Sequence, residues 1–330
     1  MTIPKRQSMQ VYLPVVLPLL SGLVLFLFAV NYLSDGLKAI SGDKLNDWLS
    51  RFTRNVVTGI LTGIAITTLL DSSSVVIIMT IALVNARSLT FRQALGVVLG
   101  ANIGTTFSSQ LIAFDIGQWA GLPMAVGLGL MMLGRRDQLT QCGQVLVGLG
   151  MLFLGLYLME EAVEPLKKMP AVSRWMQGLD NPWWGALIGA GATVVLQSSS
   201  ATVGMAIILV GQQLLDLSAG IALMMGAELG TCADTLLASV GRSRAALRTG
   251  LFHLSFNLLS ILAGLLLILP FSQLVLWVSA GAKPERQLAN AHVLFNVVGV
   301  LAVAALVPFV ANRLEQWLPD KPEQPAPAES

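Results

Sequence analysis

Charge is what this sequence has least of. Among 330 residues there are 20 Lys or Arg and 18 Asp or Glu, 12% together, where an average soluble domain carries about 25%. So few charges cannot solvate a water-facing surface, which excludes a soluble enzyme and a disordered chain. Cysteine is scarcer still. Cys142 and Cys232 each sit inside an apolar stretch, which excludes a disulfide framework and predicts two buried thiols. Only two histidines occur, and no HExxH or CxxC pattern accompanies them, so a metal centre of that type has no support. No Walker-type GxxxxGK[ST] loop and no GxSxG elbow is present. With a net charge of +2 and its basic residues spread over short loops, the chain has no patch for nucleic acid.

What remains is apolar. Hydrophobic residues make up 55% of the chain and run on through Val11–Leu33 and Leu139–Met159. A run of about 18 or more apolar residues reads as a helix that crosses a bilayer. The composition therefore predicts an all-α polytopic membrane protein whose surroundings are lipid. The first apolar segment is too long for a signal-peptide core and is expected to be retained.

An internal repeat organises the chain. Gly59–Thr106 aligns without a gap on Gly185–Cys232, with about 17 identities in 48 columns. TGILTGIAITTLLDSSS falls on WGALIGAGATVVLQSSS, and GANIGTT on GAELGTC. Shared apolar composition would not place the serines and glycines in one frame twice. Each copy begins with a charge-bearing stretch, Asp35–Arg54 or Glu160–Asp180, expected to lie along the interface. Two apolar arms follow, too short to cross a core of about 30 Å separately. They are expected to form a re-entrant helical hairpin with a polar tip, over 55–87 and again over 183–212.

Three spanning segments are expected between the hairpins: Phe91–Phe114, Trp119–Leu133 and Leu139–Met159. An odd number of crossings makes the second copy enter from the opposite face, the inverted-repeat plan of many transporters. Arg51, Arg54, Arg87, Arg92, Arg135, Arg136, Arg242, Arg244 and Arg248 would then share the cytoplasmic side. The expected divisions are a first transmembrane helix (1–34), repeat 1 (35–138), repeat 2 (139–269), a C-terminal membrane segment (270–312) and a disordered tail (313–330). Ala245–Leu269 and Arg286–Ala311 read as further spanning helices. Within them His253-Leu-Ser-Phe-Asn257 is echoed by His292-Val-Leu-Phe-Asn296, which predicts shared helix–helix contacts.

A triple serine at the tip of a membrane hairpin needs a partner, because non-helical backbone is tolerated there only beside protein or a polar cavity. The broken helix exposes backbone N–H groups and a partial positive charge, which attract an anion. Serine hydroxyls add donors without adding charge. Close helix packing is the plainer use of the same residues. Membrane-embedded carboxylates default to a functional reading. Asp71 pairs by position with Gln197, and Asn102 with Glu228, so each copy holds one acid and one amide. A cation among oxygen ligands, a proton, or a structural ion pair would each account for the acids.

TTLLDSSSVV, GANIGTT, VVLQSSSAT and GAELGTC together resemble the sodium/phosphate cotransporter family, relatives of the type II sodium–phosphate symporters, over about residues 10 to 312. The resemblance implies sodium-driven phosphate import by alternating access, in a multi-pass protein of the bacterial inner membrane, with Na+ as coupling ion and no cofactor. It implies a substrate site at Ser72, Ser73, Ser74, Gln197, Ser198, Ser199 and Ser200. Asn102, Thr105, Thr106, Gly230 and Thr231 match the accompanying element. With Asp71 and Glu228, the residues Asn102, Thr105, Thr106 and Thr231 are candidate sodium ligands. Asp71 stands where the family usually has Gln, and Glu228 where Asn is usual. Another small anion, proton coupling and a non-transporting membrane scaffold stay as alternatives. Many bacterial relatives carry a C-terminal PhoU-like domain; here that control is expected to be absent or supplied by a separate protein, and a homodimer is a further expected partner.

Overall fold

A computed structural model describes residues 5–41, 44–114, 117–134, 136–169 and 181–320. The described residues are mostly helical, with no strand among them. Among them six helical stretches are long and apolar enough to cross a membrane: Leu13–Ile40, Phe91–Ile112, Asp137–Lys167, Leu217–Ser239, Arg244–Leu266 and Pro284–Ala304. Their outward faces carry large apolar side chains such as Val24, Phe28, Leu259 and Leu301, as a lipid-facing surface requires.

The opening helix α1 (Lys5–Ser41) continues past 34 and takes in the first part of the stretch expected at the interface. The short helix α2 (Lys44–Phe52) follows. The first hairpin is α3 (Val56–Leu70) and α4 (Ser73–Asn85), and then α5 (Phe91–Ile112) carries the GANIGTT element. Trp119–Leu133, expected to span, contains only α6 (Gly121–Leu133). Its 13 residues rise about 20 Å, because Gly117–Trp119 form a separate 3-10 turn. The long helix α7 (Asp137–Val163) comes next. Of the second interfacial stretch, Glu160–Asp180, the first residues end α7 and Glu164–Lys168 form a 3-10 helix, while 170–180 lie outside the described residues.

The second hairpin is α8 (Pro182–Leu196) and α9 (Ser199–Gly211). All four hairpin helices therefore keep the 126-residue shift of the sequence repeat, end for end. So do the backbone specials. Among the described residues, four non-glycine residues have positive φ: Asp71 (51°) and Gln197 (52°), Arg87 (60°) and Gln213 (56°), two pairs at that same shift. After the second hairpin the equivalence relaxes. Where α5 is continuous, the second copy breaks at Thr231 into α10 (Leu217–Gly230) and α11 (Cys232–Ser239).

The C-terminal part is α12 (Arg244–Leu266), α13 (Ile268–Val278), α14 (Pro284–Ala304) and α15 (Val307–Trp317). The C-terminal membrane segment expected over 270–312 falls on α13, α14 and α15. One correction is that the chain stays helical to Trp317, past the expected start of the tail at 313. Arg92 anchors that last helix through Asn312 and Glu315; residues 321–330 lie outside the described set. A second correction concerns the thiols. Cys232 is buried, but Cys142 is exposed on α7.

Glycines zip the long helices together in pairs. A Cβ on Gly100 of α5 would strike the Ile60 carbonyl of α3, and a Cβ on Gly226 of α10 would strike the Ala186 carbonyl of α8. These contacts too occupy equivalent columns. On α1, a Cβ at Gly22 would come within 2.7 Å of the Gly155 carbonyl of α7. Small residues let helix backbones touch, which is how apolar helices gain packing energy inside lipid.

Candidate functional site

Each hairpin turns at one residue. Asp71 caps α3 in the left-handed conformation, φ 51° and ψ 30°, and Gln197 caps α8 at φ 52° and ψ 29°. The next residue, Ser72 or Ser198, is extended and becomes the N-cap of the second arm. Its hydroxyl oxygen accepts from the Val75 amide (3.3 Å) or the Ala201 amide (3.1 Å). The first serine of each triplet is thus partly committed to ending the break. The N–H groups of the next two residues, Ser73 and Ser74 or Ser199 and Ser200, are the unpaired donors that a helix start leaves over.

Both breaks open into one space. A cavity of about 310 Å³ is lined by Asp71, Ser72, Ser73 and Ser74 from one hairpin and by Gln197, Ser198, Ser199 and Ser200 from the other. All seven residues singled out for the substrate are brought together there, and two helix N-termini point their partial positive charge at a common volume. Asp71 and Thr231, from the candidate cation set, line the same space. Asn102, Thr105, Thr106 and Glu228 do not. Asn102 donates to the Val98 carbonyl of its own helix at 2.9 Å, and Thr105 and Thr106 bond back to Ala101 and Ile103.

Glu228 is engaged elsewhere. Its Oε1 lies 2.7 Å from His292 Nε2, and His292 Nδ1 lies 2.6 Å from Ser109 Oγ. A neutral imidazole satisfies both contacts, with Nε2–H donating to the carboxylate and Nδ1 accepting from the hydroxyl. This chain ties α5 of the first copy to α10 of the second through α14. Its residue types are those of a nucleophile–base–acid set, but Ser109 is buried and lines none of the cavities described here. The second histidine, His253, meets Thr235 Oγ1 at 2.7 Å. Both histidines therefore bond across helices. Their companions Asn257 and Asn296 instead donate back to the His253 and His292 carbonyls, each at 3.2 Å.

Asp71 is held as well: its Oδ1 accepts a hydrogen bond from the Ser108 hydroxyl of α5. Sequence reasoning missed the third wall of the cavity, which α1 supplies through Asn31, Ser34 and Lys38. Their spacing puts three polar side chains on one face of an otherwise apolar helix, and that stripe was the available signal. Lys38 is the ammonium of the site and sits 3.3 Å from Asp35 one turn back.

The hairpin ends mark opposite poles. A cavity lined by Phe91 and Arg92, at the start of α5, also takes Val84 and Asn85 from the end of α4. A small cavity of about 40 Å³ at the other end of α5, by Ile112, takes Gly211 from the end of α9. The two poles are separated by the length of α5, about 33 Å.

Residues 25–161 and 165–304 match the model of the Na+/Pi-cotransporter family. The chain belongs to that family. It is 29% identical over 304 residues to "Uncharacterized protein YqeW" of Bacillus subtilis, covering 91% of this chain and 97% of that protein. It is 29% identical over 311 residues to "Putative inorganic phosphate export protein YjbB" of Escherichia coli K12, covering 93% of this chain. The chain spans only 56% of the length of YjbB. A stretch of 97 residues is 29% identical to human "Sodium-dependent phosphate transport protein 2B", of which it covers 14%. No solved structure matches. A family of transporters and six apolar spanning-length helices together make this a multi-pass membrane protein.

Proposed function

We propose that this chain carries inorganic phosphate across the bacterial inner membrane by alternating access, coupled to sodium, with the serine cavity as the substrate site. The observation that carries the reading is the convergence of two left-handed helix breaks, each opening a serine-capped helix start, on one cavity. Phosphate is a compact tetrahedral oxyanion, and serine hydroxyls with unpaired amides are donors matched to it. Lys38, already paired with Asp35, brings to the lining of the cavity the positive charge that the serines lack. Asp71, with the Thr231 hydroxyl nearby, is the group in the cavity suited to a monovalent cation. Glu228 leaves the proposed cation set, since its carboxylate already serves His292.

Inverted repeats are part of the same reading. The tips share one cavity while the second arms end at opposite poles of α5, which supports two re-entrant hairpins entering from opposite faces. Such an arrangement keeps a fixed site near the midplane and lets access alternate around it.

Flux assays on the purified chain in proteoliposomes test this. Radiolabelled phosphate should enter when sodium is imposed outside, and the flux should collapse when the sodium gradient does. Uptake that follows a proton gradient and ignores sodium would reassign the coupling ion. No phosphate movement under either gradient would favour a scaffold. The name of YjbB favours a second reading, net export. The same vesicles, loaded with phosphate and monitored for efflux, separate the two directions.

A further inference from the structure

The cavity at the start of α5 measures about 940 Å³, three times the serine cavity. Five arginines line it: Arg87, Arg92, Arg242, Arg244 and Arg248. They come from the turn after α4, the start of α5 and the α11–α12 junction. Among the described residues lining it, two carboxylates, Glu315 and Asp320, face them. Like charges gathered around one hollow concentrate a positive field there.

The arginines are not equivalent. Arg92 is consumed by α15, with Nη2 at 2.6 Å from Glu315 Oε2. Arg248 is 3% exposed and lies 5.0 Å over the Phe91 ring. Its Nη1 donates to the Leu318 carbonyl at 2.9 Å, and its Nη2 to both Asp320 carboxylate oxygens at 2.9 and 3.1 Å. Its Nε is buried with no partner. The Asp320 side chain is 69% exposed, so one guanidinium holds a carboxylate that is otherwise in water. Among the described residues Arg242 and Arg244 make no ion pair. Orientation in the membrane accounts for arginines in short loops. It does not account for a buried one lining a hollow of this size beside two neighbours that make no ion pair among the described residues.

We propose that this vestibule is a second anion site that takes a phosphate-bearing anion, which displaces Asp320 from Arg248. Guanidinium forks match phosphate oxygens in charge and geometry. The site is separate from the serine cavity: α4 starts in one and ends in the wall of the other, about 18 Å along its axis. The proposal therefore stands whether or not the serines bind phosphate. Free inorganic phosphate and the headgroup of an anionic phospholipid share the chemistry.

The full chain in nanodiscs of phosphatidylcholine, titrated with radiolabelled inorganic phosphate, tests the first source. Mixed discs with phosphatidylglycerol, followed by native mass spectrometry of retained lipid, test the second. The variant R242Q/R244Q alters an exposed and a half-buried side chain, and its fold is checked by circular dichroism. It should weaken the bound species at least about tenfold, while Asp320→Asn should strengthen it by removing the competitor. A class of phosphate sites that survives Ser73→Ala/Ser199→Ala and disappears in R242Q/R244Q identifies free phosphate. Loss of retained phosphatidylglycerol in R242Q/R244Q without such a class identifies the headgroup. If R242Q/R244Q changes neither, or Asp320→Asn weakens binding, the site is overturned.

Discussion

The two hairpins share a backbone to within about three degrees at their breaks, yet the polar residues at their heads are bonded differently. Asp71 is half-buried and accepts from Ser108, while its equivalent Gln197 is exposed. Asn102 bonds within its own helix, while its equivalent Glu228 reaches His292 on another. Thr193 finds the hydroxyl of Thr202 at 2.9 Å. Its equivalent Thr67 is buried with no partner, because the column of Thr202 holds Val76 in the first copy. The geometry of the break resides in the small and hydroxylated residues that repeat. The wiring around it resides in the columns that do not, and those were free to diverge wherever a buried polar group could find another partner.

Removing one end of the buried Glu228–His292 contact should produce the largest change. Glu228→Ala should destabilise the protein by about 3 kcal/mol, while Asn102→Ala in the equivalent column should cost under about 1 kcal/mol. Thermal unfolding in detergent reads both; equal losses would mean that the two heads are wired alike after all. Next come the serines. Ser73→Ala and Ser199→Ala should each cut phosphate flux by about tenfold or more, the loss of one charge-assisted donor. Unchanged flux in either variant would leave a single hairpin holding the substrate.

Asp71→Asn should act more narrowly. It keeps an acceptor for Ser108 and drops the charge, so sodium dependence should shift with little loss of folded protein. Gln197→Glu should not transfer that dependence to the second hairpin, since no equivalent of the Ser108 bond holds the residue there. The smallest effect is the most specific. Val76→Thr gives the Thr67 hydroxyl the partner that Thr193 already has and should stabilise by about 0.6 kcal/mol, seen as a rise in melting temperature. Thr202→Val in the second copy should lower it.

Much of this was legible before any coordinates. Serines and glycines stand out against an apolar background, so the repeat, the hairpin breaks and the seven residues of the serine cavity could be read from their columns. The α1 wall could not. Asn31, Ser34 and Lys38 belong to no repeat, and only their common helical face marks them. The partner of Glu228 was hidden for another reason. Glu228 and His292 are 64 residues apart, and no local pattern carries a contact of that range. The break at Thr231 was missed because its column, Thr105, sits within continuous helix in the first copy. Arg92 and Arg248 explain why the C-terminal part stays ordered beyond 313: each reaches a residue far along the chain, whereas composition speaks only of neighbours.

The glycine contacts have a mechanical consequence. Where a missing side chain brings two backbones into touch, neither helix can slide without collision, so α3 with α5, α8 with α10, and α1 with α7 each travel as a single rod. Each rod brings one wall to the serines at the starts of α4 and α9: the Leu70–Asp71 end of α3, the Leu196–Gln197 end of α8, and the Asn31–Lys38 face of α1. Reshaping that hollow thus means tilting three stiff pieces against one another, and the seams between them, not the helices themselves, are where the molecule can give.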